Sequence, residues 1–133
     1  MNKKTDPIAV VDSGMGGITV LRKLHRIMPN ENYIYFGDSK NAPYGVKSKK
    51  EIRDLTFNVV EFLIQKGIKA LVVACNTATS VATKEYRSEF SVPIIGMEPA
   101  VKKAVEEFSD IPGRVLVAAT PITIAGEKLL QLV

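Results

Sequence analysis

Cysteine and histidine are almost missing from this 133-residue chain, which holds one of each. A lone Cys75 excludes an intramolecular disulfide framework and any cysteine-rich zinc site. A lone His25 excludes a histidine-cluster metal site, so no metal is expected. Long hydrophobic runs are missing too, and no apolar stretch approaches the roughly 20 residues that span a bilayer. The basic start, Met1-Asn2-Lys3-Lys4, leads into an apolar run that Asp12 breaks too early for a signal-peptide core. The expected compartment is therefore the cytoplasm, with no membrane partner. An excess of one charge is also lacking. Lys and Arg total 18 against 14 acidic residues, a net charge of +4. The basic residues are spread along the chain, apart from a knot at Lys47, Lys49 and Lys50 with no interleaved aromatics. Nucleic acid is not the expected partner, whereas a small anionic ligand suits the balance. Repeats, low-complexity tracts and a clear linker are absent.

What remains is an ordinary soluble composition, 46% hydrophobic and 24% charged, long enough for one domain but not for two complete ones. Its pattern alternates strand, turn and helix. Pro7–Val11 is a continuous apolar run, as in a strand buried on both faces. It ends in the turn Asp12-Ser13-Gly14-Met15-Gly16-Gly17. Ile18, Leu21, Leu24 and Met28 then recur at helical spacing up to Pro29-Asn30. Tyr33–Phe36 reads as a second strand, followed by an irregular loop through Pro43-Tyr44-Gly45. Ser48-Lys49-Lys50-Glu51 has the spacing of a capping box. It opens a helix with Ile52, Leu55, Val59, Phe62 and Leu63 on one face, closed by Gly67. Ala70–Ala74 reads as the third strand, with a helix after Cys75-Asn76-Thr77 to about Glu89. Pro93–Ile95 reads as the fourth strand, with a helix from near Pro99 to Phe108. Val115–Ala119 reads as the fifth, and Thr120-Pro121 opens a last helix. Strands alternating with helices predict an α/β fold, a doubly wound parallel sheet with flanking helices.

In such sheets ligands bind beyond the carboxyl ends of the strands. Those ends carry Asp12-Ser13, the loop with Asp38, Pro43, Tyr44 and Gly45, then Cys75-Asn76-Thr77, Glu98 and Thr120. A lone cysteine is most often a small buried hydrophobe. Cys75, however, stands where an apolar strand meets a helix start, and a helix N-terminus stabilises a thiolate. A Cys-x5-Arg phosphatase loop would need Arg at position 81, which is Val81. The glycines of a nucleophile elbow are absent, because Ala74 and Asn76 flank the cysteine. His25 lies beside Arg22 and Arg26 on a helix and reads as solvated, so a Cys–His hydrolytic pair is poorly supported. A thiolate acting as general base remains, with Asp12 able to hold or exchange its proton. The plainer role for Asp12 is an Asx turn or helix cap. Gly14-Met15-Gly16-Gly17 fails the dinucleotide fingerprint at Thr19, although its backbone N–H groups could hold a carboxylate. Asn76, Thr77 and Thr120 offer donors, or merely caps.

Four motifs in order resemble glutamate racemase of the Asp/Glu racemase superfamily. They are Asp12-Ser13-Gly14-Met15-Gly16-Gly17; Gly37-Asp38 with Pro43-Tyr44-Gly45; Cys75-Asn76-Thr77-Ala78; and Gly96 with Glu98-Pro99-Ala100. The resemblance covers essentially the whole chain. It implies a cofactor-independent isomerase that interconverts L- and D-glutamate for peptidoglycan synthesis, using two cysteines on opposite faces of the substrate. It implies that Cys75 is the base facing the α-proton of D-glutamate and that Asp12 is its acidic helper. Asp12-Ser13, Pro43 with Tyr44-Gly45, Asn76-Thr77 and Thr120 are then substrate-binding residues. The only implied partner is the small-molecule substrate, and a homo-oligomer is compatible with it.

One departure stands out. Members of that family are about twice this long and carry a second cysteine in a Cys-Thr-His motif. Nothing here matches that motif. The chain is therefore expected to be an N-terminal piece. Residues 1–97 would form most of a first domain and residues 98–133 the start of a second. It would hold half an active site and be inactive alone. A last helix ending on Leu129, Leu130, Leu132 and Val133 without a cap fits that expectation. Three alternatives compete with this reading. An aspartate-type racemase is disfavoured by Asp12-Ser13 and by Thr79 after Ala78. A non-catalytic module that binds a dicarboxylate or recruits a partner is a second, and a nucleotide-binding domain a third.

Overall fold

The computed structural model describes residues 4–97, 100–108 and 112–131. Strand β1 (Ile8–Asp12) lies between β2 (Tyr33–Gly37) and β3 (Ala70–Val73), and β4 (Ile94–Gly96) extends the sheet beyond β3. All pairings are parallel, in the order β2-β1-β3-β4. Every residue of β1 is buried, as its unbroken apolar run requires of a central parallel strand. Alternation along the strands splits the core in two. Ile8, Val10 and Val72 face α1 (Gly17–Ile27), against Val20, Leu21, Leu24 and Met28. Ala9, Val11, Leu71, Val73 and Ile94 face the other way. There they meet Ile52, Val60 and Leu63 of α2 (Lys49–Gln65) and Ala78, Ala82 and Tyr86 of α3 (Asn76–Glu89). Helices on both faces make the sheet doubly wound. On α1 the expected apolar stripe is carried by Leu21, Leu24 and Met28, while Ile18 is exposed.

The starts of the helices follow from local chemistry. Ser48 and Glu51 form a reciprocal capping box, with the Glu51 N–H donating to Ser48 Oγ and the Ser48 N–H donating to Glu51 Oε2. Gly67 follows α2 with φ +77°, a left-handed conformation that favours glycine. Gly17, at the start of α1, is fixed by packing. A Cβ there would lie 2.8 Å from Asp12 Cβ and 3.1 Å from Ala74 Cβ.

The fifth strand is a correction. Val115–Ala119 forms no strand, and residues 112–120 are irregular. Val115 and Leu116 are exposed, Leu116 by 95%. An apolar run becomes a strand only where an edge is free to pair with it, and among the described residues this segment is not part of the sheet. The expected last helix is two short ones, α5 (Pro121–Ile124) and α6 (Glu127–Leu130), broken at Ala125-Gly126. Between β4 and the irregular segment lies α4 (Val101–Phe108). Its expected opening near Pro99 is outside the described residues, as are Glu98, Leu132 and Val133.

Candidate functional site

The site is built on the carboxyl ends of β1 and β3. Asp12, the last residue of β1, is buried, and its Oδ2 accepts the Gly17 N–H at 3.0 Å. The carboxylate thus holds the first turn of α1, where a helix N-terminus favours negative charge. The Asp12 carbonyl accepts the Asp38 N–H at 2.9 Å, which ties the next loop to the end of β1.

Cys75 is the N-cap of α3. Its sulfur accepts the Ala78 N–H at 3.5 Å, and its thiol donates to Ser13 Oγ at 3.4 Å. A cap position normally taken by Ser, Thr, Asp or Asn therefore holds a thiol, aimed across the sheet edge at the residue after Asp12. The N–H on the sulfur favours charge that develops there. Asp12, Ser13, Tyr44 and Cys75 line one cleft with Val11, Thr56, Val73 and Ala78. Its volume is about 10 Å³, room for about one water molecule. Any ligand larger than water must therefore lie above it, with these residues as its floor.

Tyr44 enters from a single 3-10 turn, Tyr44–Val46. It is buried, and its hydroxyl donates to Asp38 Oδ2 at 2.7 Å. Both Asp38 oxygens also accept from Asn41 Nδ2, at 2.9 and 3.0 Å. Burial first, and the bond to the Asp38 carboxylate second, push the Tyr44 phenol well above its ordinary range. Tyr35, on β2, donates to the Gly14 carbonyl at 2.8 Å and braces the turn after Asp12. Its phenol is raised by burial and then by the Asp12 charge.

Thr120 joins the site although the strand expected to deliver it is absent. It caps α5, accepting the Thr123 N–H at 3.3 Å. Its hydroxyl lies 3.1 Å from Thr77 Oγ1 and 3.0 Å from Thr123 Oγ1. Gly45 permits this approach, since a Cβ there would stand 2.5 Å from Thr120 Cγ2. Thr77 is buried, whereas Asn76 is exposed and borders a neighbouring groove. Pro43 is exposed and does not line the cleft. Exposed on α1, His25 has its ring centre 6.1 Å from that of Tyr33.

Sequence reasoning missed Thr56 and Thr123, as well as the role of Asp38 as acceptor for Tyr44. Thr56 left a signal as the one polar residue among the apolar positions of α2. It is buried in the cleft wall, and its hydroxyl bonds back to the Ile52 carbonyl at 2.8 Å. Among the described residues no group of three or more His, Cys, Asp or Glu is placed to hold a metal ion. None of the described helices is long and apolar enough to cross a membrane.

Fold and site together define an α/β protein with a capped thiol at the edge of a parallel sheet. Residues 8–131 match the family described as Asp/Glu/Hydantoin racemase, and the chain belongs to that family. A glutamate racemase of Clostridium botulinum (strain Alaska E43 / Type E3) is 53% identical over 133 residues, which is 99% of this chain and 51% of that protein. The crystal structure of a glutamate racemase isoform from Bacillus anthracis superposes with a TM-score of 0.85 at 36% identity, over 98% of this chain and 48% of that one. A glutamate racemase from Francisella tularensis, solved in complex with D-glutamate, gives 0.78 at 38% identity, over 96% and 48%. The chain spans about half the length of the relatives it matches.

Proposed function

We propose that this chain supplies one half of a glutamate racemase active site, with Cys75 as the base facing D-glutamate. The observation that carries this reading is the position of the Cys75 thiol. It caps α3, takes an N–H on its sulfur and points into a cleft shared with Asp12, Ser13 and Tyr44. In the proposed step the Cα–H bond of D-glutamate breaks and its proton passes to the Cys75 thiolate. The electron pair stays on Cα and spreads into the carboxylate. A second thiol, outside this chain, delivers a proton to the opposite face, and the reverse direction exchanges the roles. An α-proton is weakly acidic, so preorganised donors in a dry site must hold the carbanion charge. The hydroxyls of Ser13, Thr77 and Thr120 are suited to that work, while the Gly17 and Ala78 N–H groups hold the Asp12 carboxylate and the Cys75 sulfur in place. Asp12 serves as the acidic helper, and Asn76 and Tyr44-Gly45 complete the substrate contacts. Pro43, beside Tyr44, belongs to the same substrate-binding loop.

On this reading the reaction needs no cofactor, runs in the cytoplasm and supplies D-glutamate for peptidoglycan. Residues 1–97 belong to a first domain and 98–133 open a second, whose surface would offer Val115–Ala119 an edge to pair with.

Cα hydrogen–deuterium exchange followed by NMR in D2O tests the proposal. The chain should exchange the α-proton of D-glutamate with retention of configuration and leave L-glutamate untouched. Cys75→Ala should abolish the exchange. Exchange that survives Cys75→Ala removes Cys75 as the base. Steady racemisation by the chain alone would show that both acid/base groups lie within these 133 residues, against the half-site.

A further inference from the structure

A second cavity lies on the opposite face of the sheet from Cys75, on the outer side of α1. It is an open groove of about 450 Å³, lined by Leu21, Arg22, His25, Arg26 and Tyr33, with Arg22, His25 and Arg26 exposed. Arg22 and Arg26 stand one helical turn apart, with His25 between them, so all three share one side of the helix. No carboxylate among the described residues pairs with either guanidinium. Glu31, the nearest acid to Tyr33, is bridged to Lys69 instead. The Tyr33 hydroxyl is spent on the Met28 carbonyl at 3.0 Å, which leaves its ring as a fixed wall. Leu21, packed on its inner side against the sheet, forms an apolar floor. Arg53 and Lys50 on α2, by contrast, are each matched with a carboxylate.

We infer that this groove binds a small phosphate-bearing ligand with a flat apolar body. Two guanidiniums one turn apart can fork onto the oxygens of one phosphate. The His25 and Tyr33 rings and Leu21 offer a surface for a ring to lie on. A free carboxylate would engage the arginines less completely, and a bare anion would leave the apolar floor unused. The groove stands apart from the cleft at Asp12 and Cys75, so it is independent of the racemase reading. Its link to that site is α1, whose first turn is held by Asp12.

Phenyl phosphate is the probe, titrated into the isotope-labelled chain and followed by amide NMR, with inorganic phosphate and phenol in parallel. The expected result is saturable shifts at Leu21, Arg22, His25, Arg26 and Tyr33, weakened by salt. Phenyl phosphate should bind more tightly than either fragment. The exposed double variant Arg22→Gln/Arg26→Gln should weaken binding about tenfold and leave the remaining spectrum unchanged. Shifts that never saturate, that centre elsewhere, or that persist in the double variant overturn the site. Inorganic phosphate binding as tightly as phenyl phosphate overturns the flat-body part of the inference.

Discussion

The Cys75 thiol and the Ser13 hydroxyl meet at 3.4 Å across the carboxyl ends of two neighbouring strands. Neither residue is placed by the other's element. Ser13 follows β1, held from the α1 side through Asp12 and Gly17, and Cys75 is set by the start of α3. The contact therefore reports whether the two halves of the sheet edge are in register. It also orients the sulfur, which takes the Ala78 N–H on its other side.

Ser13→Ala should keep the fold and slow the chemistry. One hydrogen bond of this kind is worth about 1 kcal/mol, so D-glutamate exchange should fall about tenfold or less. Measuring the exchange rate against D-glutamate concentration separates two effects. Loss of thiol orientation lowers the maximal rate, whereas loss of a substrate contact raises KM. A variant with both values unchanged would remove Ser13 from the site.

Gly17→Ala should cost stability out of proportion to one methyl group. The added carbon would meet Asp12 Cβ, Ala74 Cβ and Tyr35 Cε2 at 2.8 to 3.2 Å. These atoms belong to β1, β2 and the segment after β3, which cannot all yield. Overpacking of this kind costs about 1–3 kcal/mol. Urea unfolding measures it, and a stability equal to the parent chain would contradict the tight approach. Gly45→Ala crowds only Thr120 Cγ2 and Cβ. Its expected signature is loss of the Thr77–Thr120 contact, seen as raised KM with little change in stability.

The elements around the site were readable where their signals are local. Ser48 and Glu51 announce a helix start by spacing alone, and the apolar runs of β1 and β3 announce central strands. The rule that parallel sheets gather ligands at their carboxyl ends also brought Asp12, Ser13, Tyr44, Cys75 and Thr77 to one edge in advance, whereas Thr120 reaches it without the strand expected to deliver it. Val115–Ala119 was misread because its run of apolar residues is as strong as that of β3. A run says nothing of whether an edge is free beside it. Asp38 was visible as a loop residue, but its bond to Tyr44 depends on side-chain rotamers across six positions. Thr123 was hidden because Thr120 reads as a donor or a cap, and neither role names a side-chain partner three residues on.

Backbone exchange should separate that misread segment from the true strands. Amides of residues 115–119 should exchange with solvent nearly as fast as an unstructured chain, because no ladder protects them. Amides of Val10 and Val72, in the two central strands, should be among the slowest. Protection at 115–119 equal to that of β3 would mean that the segment finds a strand partner after all.

Alkaline pH should destabilise the fold through its buried phenols. Tyr44 and Tyr86 both have hydroxyl pKa values raised from 10.0, chiefly by burial, and Tyr44 further by its bond to the Asp38 carboxylate. A raised native pKa means that the folded chain keeps protons that the unfolded chain has lost. Stability then falls as pH rises above about 10, the unfolded value, and is unaffected by these groups below it. Tyr44 matters most to the site, since ionising it would set a phenolate against Asp38. Urea unfolding from about pH 8 to about pH 11 should show the decline. Tyr44→Phe should flatten part of it, at a cost of about 1–3 kcal/mol near neutral pH, because Asp38 then loses a buried donor. A Tyr44→Phe profile with the parent's slope would show that this phenol titrates alike in both states, and the Tyr44–Asp38 bond would lose its energetic meaning.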